Sequence, residues 1–286
     1  MNQSFEPPAG MRTVDVHGHC MAYVEHGAGT PVVLVHGSLS DWRTFAGVMG
    51  ALGARHRAIA LSLRHYYPQR WDGRGGRFSM RQHVEDVAEF LRTVLDGEPA
   101  HLVGHSRGGS LALYLARDHP ALARTIVVAE GGSNMPVFEP TDGDAGIESQ
   151  RALVRFRATV ALLQAGRIDE ALRYFVDDVG GAGRWDAMPE AERQMRRDNA
   201  WTVKGQLDDV FDPFDEDDAR RIATPVLLMG GERSPAFFAP MLDAMQRLLP
   251  RTERVRLAGA SHGMQAQQPA AFAGAILEFV SRHDAR

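Results

Sequence analysis

The stretch His101-Leu102-Val103-Gly104-His105-Ser106-Arg107-Gly108-Gly109 decides the fold of this 286-residue chain. A short apolar run leads into G-x-S-x-G and then directly into helix-forming residues 110–118, which is the setting of a nucleophile elbow. A strand-to-helix turn of this kind admits only small residues two positions either side of the serine, where Gly104 and Gly108 stand. It raises the serine hydroxyl clear of the sheet and aims the N–H groups of a helix N-terminus at whatever the serine attacks. A turn followed by a serine N-cap would read the same over five residues. The surroundings therefore decide.

Upstream, Pro31-Val32-Val33-Leu34-Val35 reads as a buried strand, and His36-Gly37-Ser38 as a loop able to supply a second oxyanion donor. Near the other end, Arg254-Val255-Arg256-Leu257 reads as a short strand. The loop that follows it, Ala258-Gly259-Ala260-Ser261-His262-Gly263, places a histidine just before the last helix. A serine early and a histidine late, with an acid between them, is one of the known chain orders of a catalytic triad. With these motifs the chain resembles the α/β-hydrolase superfamily, over about residues 12–282. The resemblance is specific for fold and serine chemistry and much less so for substrate.

Composition sets the outer bounds. A hydrophobic content of 44% over this length allows one full-sized core plus an inserted subdomain, and 24% charged residues argue against a membrane or disordered chain. No apolar run approaches a membrane span, and residues 1–8 lack the basic start and apolar stretch of a signal peptide, so a cytoplasmic location is the default expectation. The single cysteine, Cys20, excludes an intramolecular disulfide and reads as a small residue of an early strand. A net charge of −4 offers no basic surface for nucleic acid.

The remaining elements follow from periodicity. Residues 12–26 read as a hairpin turning near His17-Gly18, residues 57–63 as a further strand, and residues 80–95 as an amphipathic helix, with Val84, Val87, Leu91 and Val94 at helical spacing. Residues 125–129 and 225–229 are two more apolar strands. Strands alternating with helices predict an α/β fold, a mostly parallel, doubly wound sheet covered on both faces. Ligands of such sheets bind outside the C-terminal strand ends, where Ser38, Ser106, Glu130 and His262 would lie.

Some 90 residues separate the strand ending at Ala129 from the one starting at Pro225, which predicts an inserted helical domain. The expected division is a core of residues 1–132 and 222–286 with a helical cap of residues 133–221. Leu153, Phe156, Val160 and Leu163 form one stripe and Ile168, Leu172, Phe175 and Val179 another, broken at Ala165-Gly166. A third helical run covers about residues 189–207, after the glycine-rich residues 180–183. The plain reading of these stripes is the cap's own core. The resemblance implies that a cap excludes water and shapes the pocket. The acidic run 212–218 reads as a solvated helix start, with no metal-ligand geometry.

The acid is where this chain departs from its relatives. Many of them place an aspartate after the strand equivalent to residues 225–229, in a Gly-Glu-x-Asp-type stretch, whereas this chain reads Gly231-Glu232-Arg233-Ser234. A serine cannot stabilise an imidazolium, so the carboxylate must come from elsewhere. Some members of the superfamily carry their acid after the preceding strand, where this chain has Glu130; Glu130 is the favoured acid, Glu232 the alternative, and a strand-end carboxylate that merely caps a loop remains open.

Among twelve histidines, His262 is set apart by its loop between the last strand and last helix. The backbone N–H groups of Arg107 and Ser38 are the expected oxyanion donors, with Leu39 next in line. His36, Leu39, His105 and Tyr66 are candidate pocket residues. Tyr66 belongs to the aromatic and basic loop 64–71, which stands where relatives have an Asp-x-x-Gly-x-Gly-x-Ser loop and reads either as structural or as part of the pocket.

The expected activity is hydrolysis of a small carboxylic ester or lactone through an acyl-enzyme on Ser106, with His262 as base and Glu130 as its partner. No metal or organic cofactor, nucleic acid or membrane partner is expected, and the oligomeric state is unassigned. A serine at the elbow argues against the related dehalogenases and epoxide hydrolases, which need an aspartate there. The resemblance leaves three rivals open: a cofactor-free dioxygenase, a hydrolase of carbon–carbon bonds, and a small-molecule receptor.

Overall fold

The computed structural model describes residues 10–132, 135–139, 147–209 and 213–284. The parts of the expected cap at 133–134, 140–146 and 210–212 lie outside these residues. Chain order runs β1 (Met11–Val16), β2 (His19–His26), β3 (Pro31–Val35), α1 (Ala46–Gly53), β4 (Arg57–Leu61), α2 (Met80–Val94), β5 (Ala100–His105), α3 (Arg107–Asp118) and β6 (Ala123–Ala129). Five helices follow: α4 (Ile147–Gln164), α5 (Ile168–Gly180), α6 (Arg184–Ala187), α7 (Glu190–Asp198) and α8 (Thr202–Asp208). The chain then completes α9 (Glu216–Arg221), β7 (Val226–Gly231), α10 (Phe238–Leu248), β8 (Thr252–Leu257), α11 (Met264–Gln267) and α12 (Pro269–Ser281).

The eight strands form one sheet in the order β1-β2-β4-β3-β5-β6-β7-β8. The expected hairpin makes β1 and β2 antiparallel, β2 pairs antiparallel with β4, and every later pairing is parallel. The central strands are apolar throughout because both faces are covered. Val33, Val35, Leu102, Ile126, Val128 and Leu228 face the side of α2, α3 and α10, while Val32, Leu34, Val103, Val127 and Met229 face α1 and α12. This period-two split between two cores is the α/β, mostly parallel, doubly wound arrangement expected from the sequence.

The helices between β6 and β7 share an apolar cluster of their own, in which Val160, Leu163, Leu172, Phe175, Trp185 and Val203 meet Leu39 of the sheet's loop. Leu153 and Ile168 head their stripes yet are exposed, since the cluster involves only the C-terminal half of α4 and the middle of α5. The third run is two helices, not one. At the break stands Asn199, whose Nδ2 donates to Asp41 Oδ2 at 2.7 Å and to the Met195 carbonyl at 2.8 Å and whose Oδ1 accepts from the Tyr67 N–H at 2.7 Å. At the far end, Phe214, Ala219 and Ile222 belong to the core beneath the sheet. The described part of the acidic run does start a helix, with Asp215 closing a capping box on Asp218 at the head of α9. Cys20 sits in β2 and is exposed.

Two glycines make the elbow possible. A Cβ on Gly104 would lie 2.2 Å from the Gly108 carbonyl oxygen, and one on Gly108 would lie 2.2 Å from that of Val35. Both obstacles are backbone, so neither can swing aside. Gly108→Ala is therefore expected to destabilise the protein by about 3 kcal/mol, the upper end of ordinary overpacking. Urea unfolding at neutral pH checks it, and an unchanged midpoint would contradict the close packing of α3 on β3.

Candidate active site

The strand ends of β3, β5, β6 and β8 bring the expected residues together. Ser106 follows β5 directly, with φ 52° and ψ −123°, a conformation that few non-glycine residues adopt. The turn is held in place because the Ser106 N–H donates to the Ala129 carbonyl at 2.8 Å, tying the elbow to the end of β6. One residue further along β6, Glu130 also has positive φ, 49°. Two strained residues side by side at adjacent strand ends mark the place where the fold holds backbone against its preference.

Glu130 is buried, and both of its carboxylate oxygens are used. Oε1 accepts from the Gly231 N–H at 2.8 Å, and Oε2 lies 2.8 Å from Nδ1 of His262. That contact places the imidazole proton on Nδ1 and leaves Nε2 as the basic nitrogen. Glu232, the alternative acid, is engaged elsewhere: its Oε2 accepts from the Gly259 N–H at 2.7 Å, on the outside of the loop. The ring of His262 stacks on Phe238 at 4.5 Å between centroids, which restricts its rotation to the plane that meets Glu130.

Ser106 and His262 line one cavity, a concave site of the kind that receives a small molecule. Ser38, Leu39 and His105 share its wall. The loop carrying Ser38 presses on the elbow, since a Cβ at Gly37 would lie 2.8 Å from Cβ of Ser106. Arg107 heads α3, where the first backbone N–H groups have no partner within the helix. Ser38 Oγ donates to Oε1 of Gln206 at 2.6 Å, so α8 fixes this loop from above.

His36 and Tyr66, expected in the pocket, do not line it. His36 is fully buried behind the loop: Nδ1 donates to the Gly37 carbonyl at 2.8 Å and Nε2 accepts from the Leu63 N–H at 3.1 Å. Tyr66 is packed edge-on against it at 4.6 Å. Other residues of loop 64–71 are likewise engaged in structure, with Arg64 on Asp86 and His65 stacked on Trp71. These side chains turn inward because the loop closes over α2, a tertiary fact that its composition did not announce. His105 does reach the cavity, and its Nε2 donates to the carbonyl of His262 at 2.7 Å. Burial, and next the neighbouring His262, push its pKa well below the usual histidine value, so it acts as a neutral strut.

Burial lowers the pKa of His36 from its ordinary 6.5 to about 4. Between those values the unfolded chain takes up a proton that the folded protein refuses, so stability falls as pH drops through this window and levels off below it. His36→Gln should remove about 2 kcal/mol of the stability difference between about pH 7.5 and about pH 5. Urea unfolding at the two pH values measures it; an acid limb of unchanged steepness would place the titration elsewhere.

Charged residues from the inserted helices also enter the cavity: Arg155, Arg184, Glu192 and Arg196. Sequence reasoning missed them, because a run such as Glu190 to Arg197 has the composition of an ordinary solvated helix face. Among the described residues, no group of three or more histidine, cysteine, aspartate or glutamate side chains could hold a metal ion. No described helix is long and apolar enough to cross a membrane.

Comparison with known proteins bears on the fold and family. The chain is 24% identical over 287 residues to 2-(acetamidomethylene)succinate hydrolase of Mesorhizobium japonicum, covering 94% of each chain. It is 32% identical over 153 residues to 2-hydroxymuconate semialdehyde hydrolase of Pseudomonas sp. strain CF600, covering 51% of this chain and 50% of that one. A thermophilic esterase from Thermogutta terrifontis superposes with a TM-score of 0.77 at 19% identity, over 97% of this chain and 100% of the other. Residues 32–275 match the model of the alpha/beta hydrolase family, and with the elbow at Ser106 and the eight-stranded sheet beneath it, the chain belongs to that family.

Proposed function

We propose that this protein is a serine hydrolase that cleaves a small carboxylic ester or lactone through an acyl-enzyme on Ser106. The observation that carries the reading is the 2.8 Å contact of His262 Nδ1 with the buried Glu130, at the wall of the same cavity as Ser106. Nε2 of His262 takes the hydroxyl proton as Ser106 Oγ attacks the ester carbonyl, and Glu130 stabilises the imidazolium that results. The backbone N–H groups of Ser38 and Arg107 receive the negative charge on the carbonyl oxygen. The tetrahedral intermediate collapses as His262 returns its proton to the leaving alkoxide. Water then enters, gives a proton to His262 as its oxygen attacks the acyl carbon, and the acid leaves as His262 passes that proton to Ser106 Oγ.

The helices of the insertion act as the cap. Its packing unit is α4 to α8, of which α4 to α7 line the cavity, while α9 stays with the sheet core. We take the cap to end before Phe214, inside the division at residue 221 expected from the flanking strands. Leu39, buried in the insertion's apolar cluster, and Gln206, bonded to Ser38, couple the roof to the oxyanion loop.

An alkyl fluorophosphonate tests the chemistry, since it reacts with an activated serine and leaves a covalent adduct. Stoichiometric labelling at Ser106, blocked by excess ester substrate, is the expected result. Labelling at another residue, or oxygen uptake with a heteroaromatic substrate and no adduct at Ser106, would overturn the reading.

A further inference from the structure

Two guanidinium groups in the roof of the cavity share a single carboxylate. Nη2 of Arg184 lies 3.0 and 3.1 Å from the two oxygens of Glu192, and Nη2 of Arg196 lies 3.3 Å from Oε1 of the same residue. The trio carries a net charge of +1 by this count, two cations against one anion. Arg155, the other arginine of the cavity, belongs to a balanced set in which Arg151 and Arg155 face Asp178 and Glu148. His105 is neutral, and Glu130 faces His262. The positive excess therefore belongs to Arg184 and Arg196.

Their placement ties this charge to the reacting atoms. Nη1 of Arg196 donates to the Leu39 carbonyl at 3.1 Å, one residue from Ser38. Arg184 stands beside the histidine loop, its Nη2 3.5 Å from where a Cβ of Gly263 would be. One guanidinium is thus held at the residue after Ser38 and the other beside the residue after His262, in the cavity that Ser106 lines. Arg196 is nine-tenths buried, and its Nε is without a hydrogen-bond partner among the described residues. A buried, incompletely satisfied guanidinium in a cavity with excess positive charge is costly when the cavity holds water and stabilised when it holds an anion.

We infer that the site takes esters that carry a free carboxylate, held in the cap by Arg184 and Arg196 while the ester carbonyl lies at Ser106. This inference rests on the reading of Ser106 as nucleophile. The planar fork of each guanidinium matches a carboxylate, and Glu192 engages only Nη2 of each. Apolar walls at Phe156, Phe175 and Val176 suit a short carbon chain between the two groups. Neutral esters of the same length fill the same space but leave the excess charge unanswered.

The test uses two probes of similar shape, monomethyl succinate and methyl butyrate, and the full-length Ser106→Ala protein, so that binding is read without turnover. Calorimetry should show monomethyl succinate bound at least about tenfold more tightly, a preference that weakens as salt is raised. Arg184→Gln in the same background should remove most of the preference, and Arg184→Lys should restore part of it. In the otherwise wild-type enzyme, Arg184→Gln should raise KM for monomethyl succinate far more than it lowers kcat. Equal binding of the two probes, or a preference untouched by Arg184→Gln, would overturn the inference even if Ser106 proves to be the nucleophile. Conversely, hydrolysis by Ser106→Ala at the wild-type rate would remove the nucleophile and leave the binding result standing. Should Arg184→Gln fold poorly, the salt-dependent preference of the Ser106→Ala protein alone decides.

Discussion

Ser106→Ala is expected to lower kcat by at least about a thousandfold while the protein keeps its melting temperature. The hydroxyl is the only atom removed, and the turn that holds it is fixed by backbone: the bond from the Ser106 N–H to Ala129 and the close approach of Gly108 to β3. His262→Ala should cost a similar factor, because a serine without its base is a poor nucleophile. The two losses should not add in the double variant, since either one disables the same step. Steady-state kinetics on a short-chain ester, with circular dichroism to check folding, measures all three. Near wild-type hydrolysis by Ser106→Ala would remove the proposed mechanism entirely.

Glu130→Gln should reduce kcat by as much as about ten-thousandfold. The amide can still accept from the Gly231 N–H through its oxygen, so shape and burial survive. Its NH2 group then faces Nδ1 of His262, which must become the acceptor, and the ring proton moves to Nε2, where the lone pair is required. Glu232→Gln should be close to silent, because that side chain serves only the Gly259 N–H. Ser234→Asp, placed in the Glu130→Gln protein, puts a carboxylate where many relatives have one. Ser234 Oγ is buried without a hydrogen-bond partner among the described residues and lies beside Gly231, so this change should recover part of the rate. Activity retained in Glu130→Gln but lost in Glu232→Gln would transfer the acid to the later strand.

Much of this was legible in the chain itself because its signals are local. Two glycines around Ser106 are demanded by contacts of 2.2 Å that any Cβ would make. The five-residue apolar runs are what a strand buried on two faces requires, and the break at Ala165-Gly166 follows from residues that end helices. Glu130 could be favoured over Glu232 because the resemblance implies that some relatives carry their acid after this strand, and Ser234 lacks the charge a histidine partner needs. Other features depended on distant parts of the chain. Asn199, where a helix-forming run is interrupted, is bonded by Asp41 and Tyr67 from far away in the chain. Tyr66 turns away from the cavity because His36 and Gln206 lie behind the loop. Above all, the sequence determined the elbow serine, the loop histidine proposed as its base and the sheet that presents them, each set by nearest neighbours. Tertiary structure alone decided the charge of the pocket, because Arg184, Glu192, Arg196 and Leu39 meet only when the inserted helices close over the strand ends.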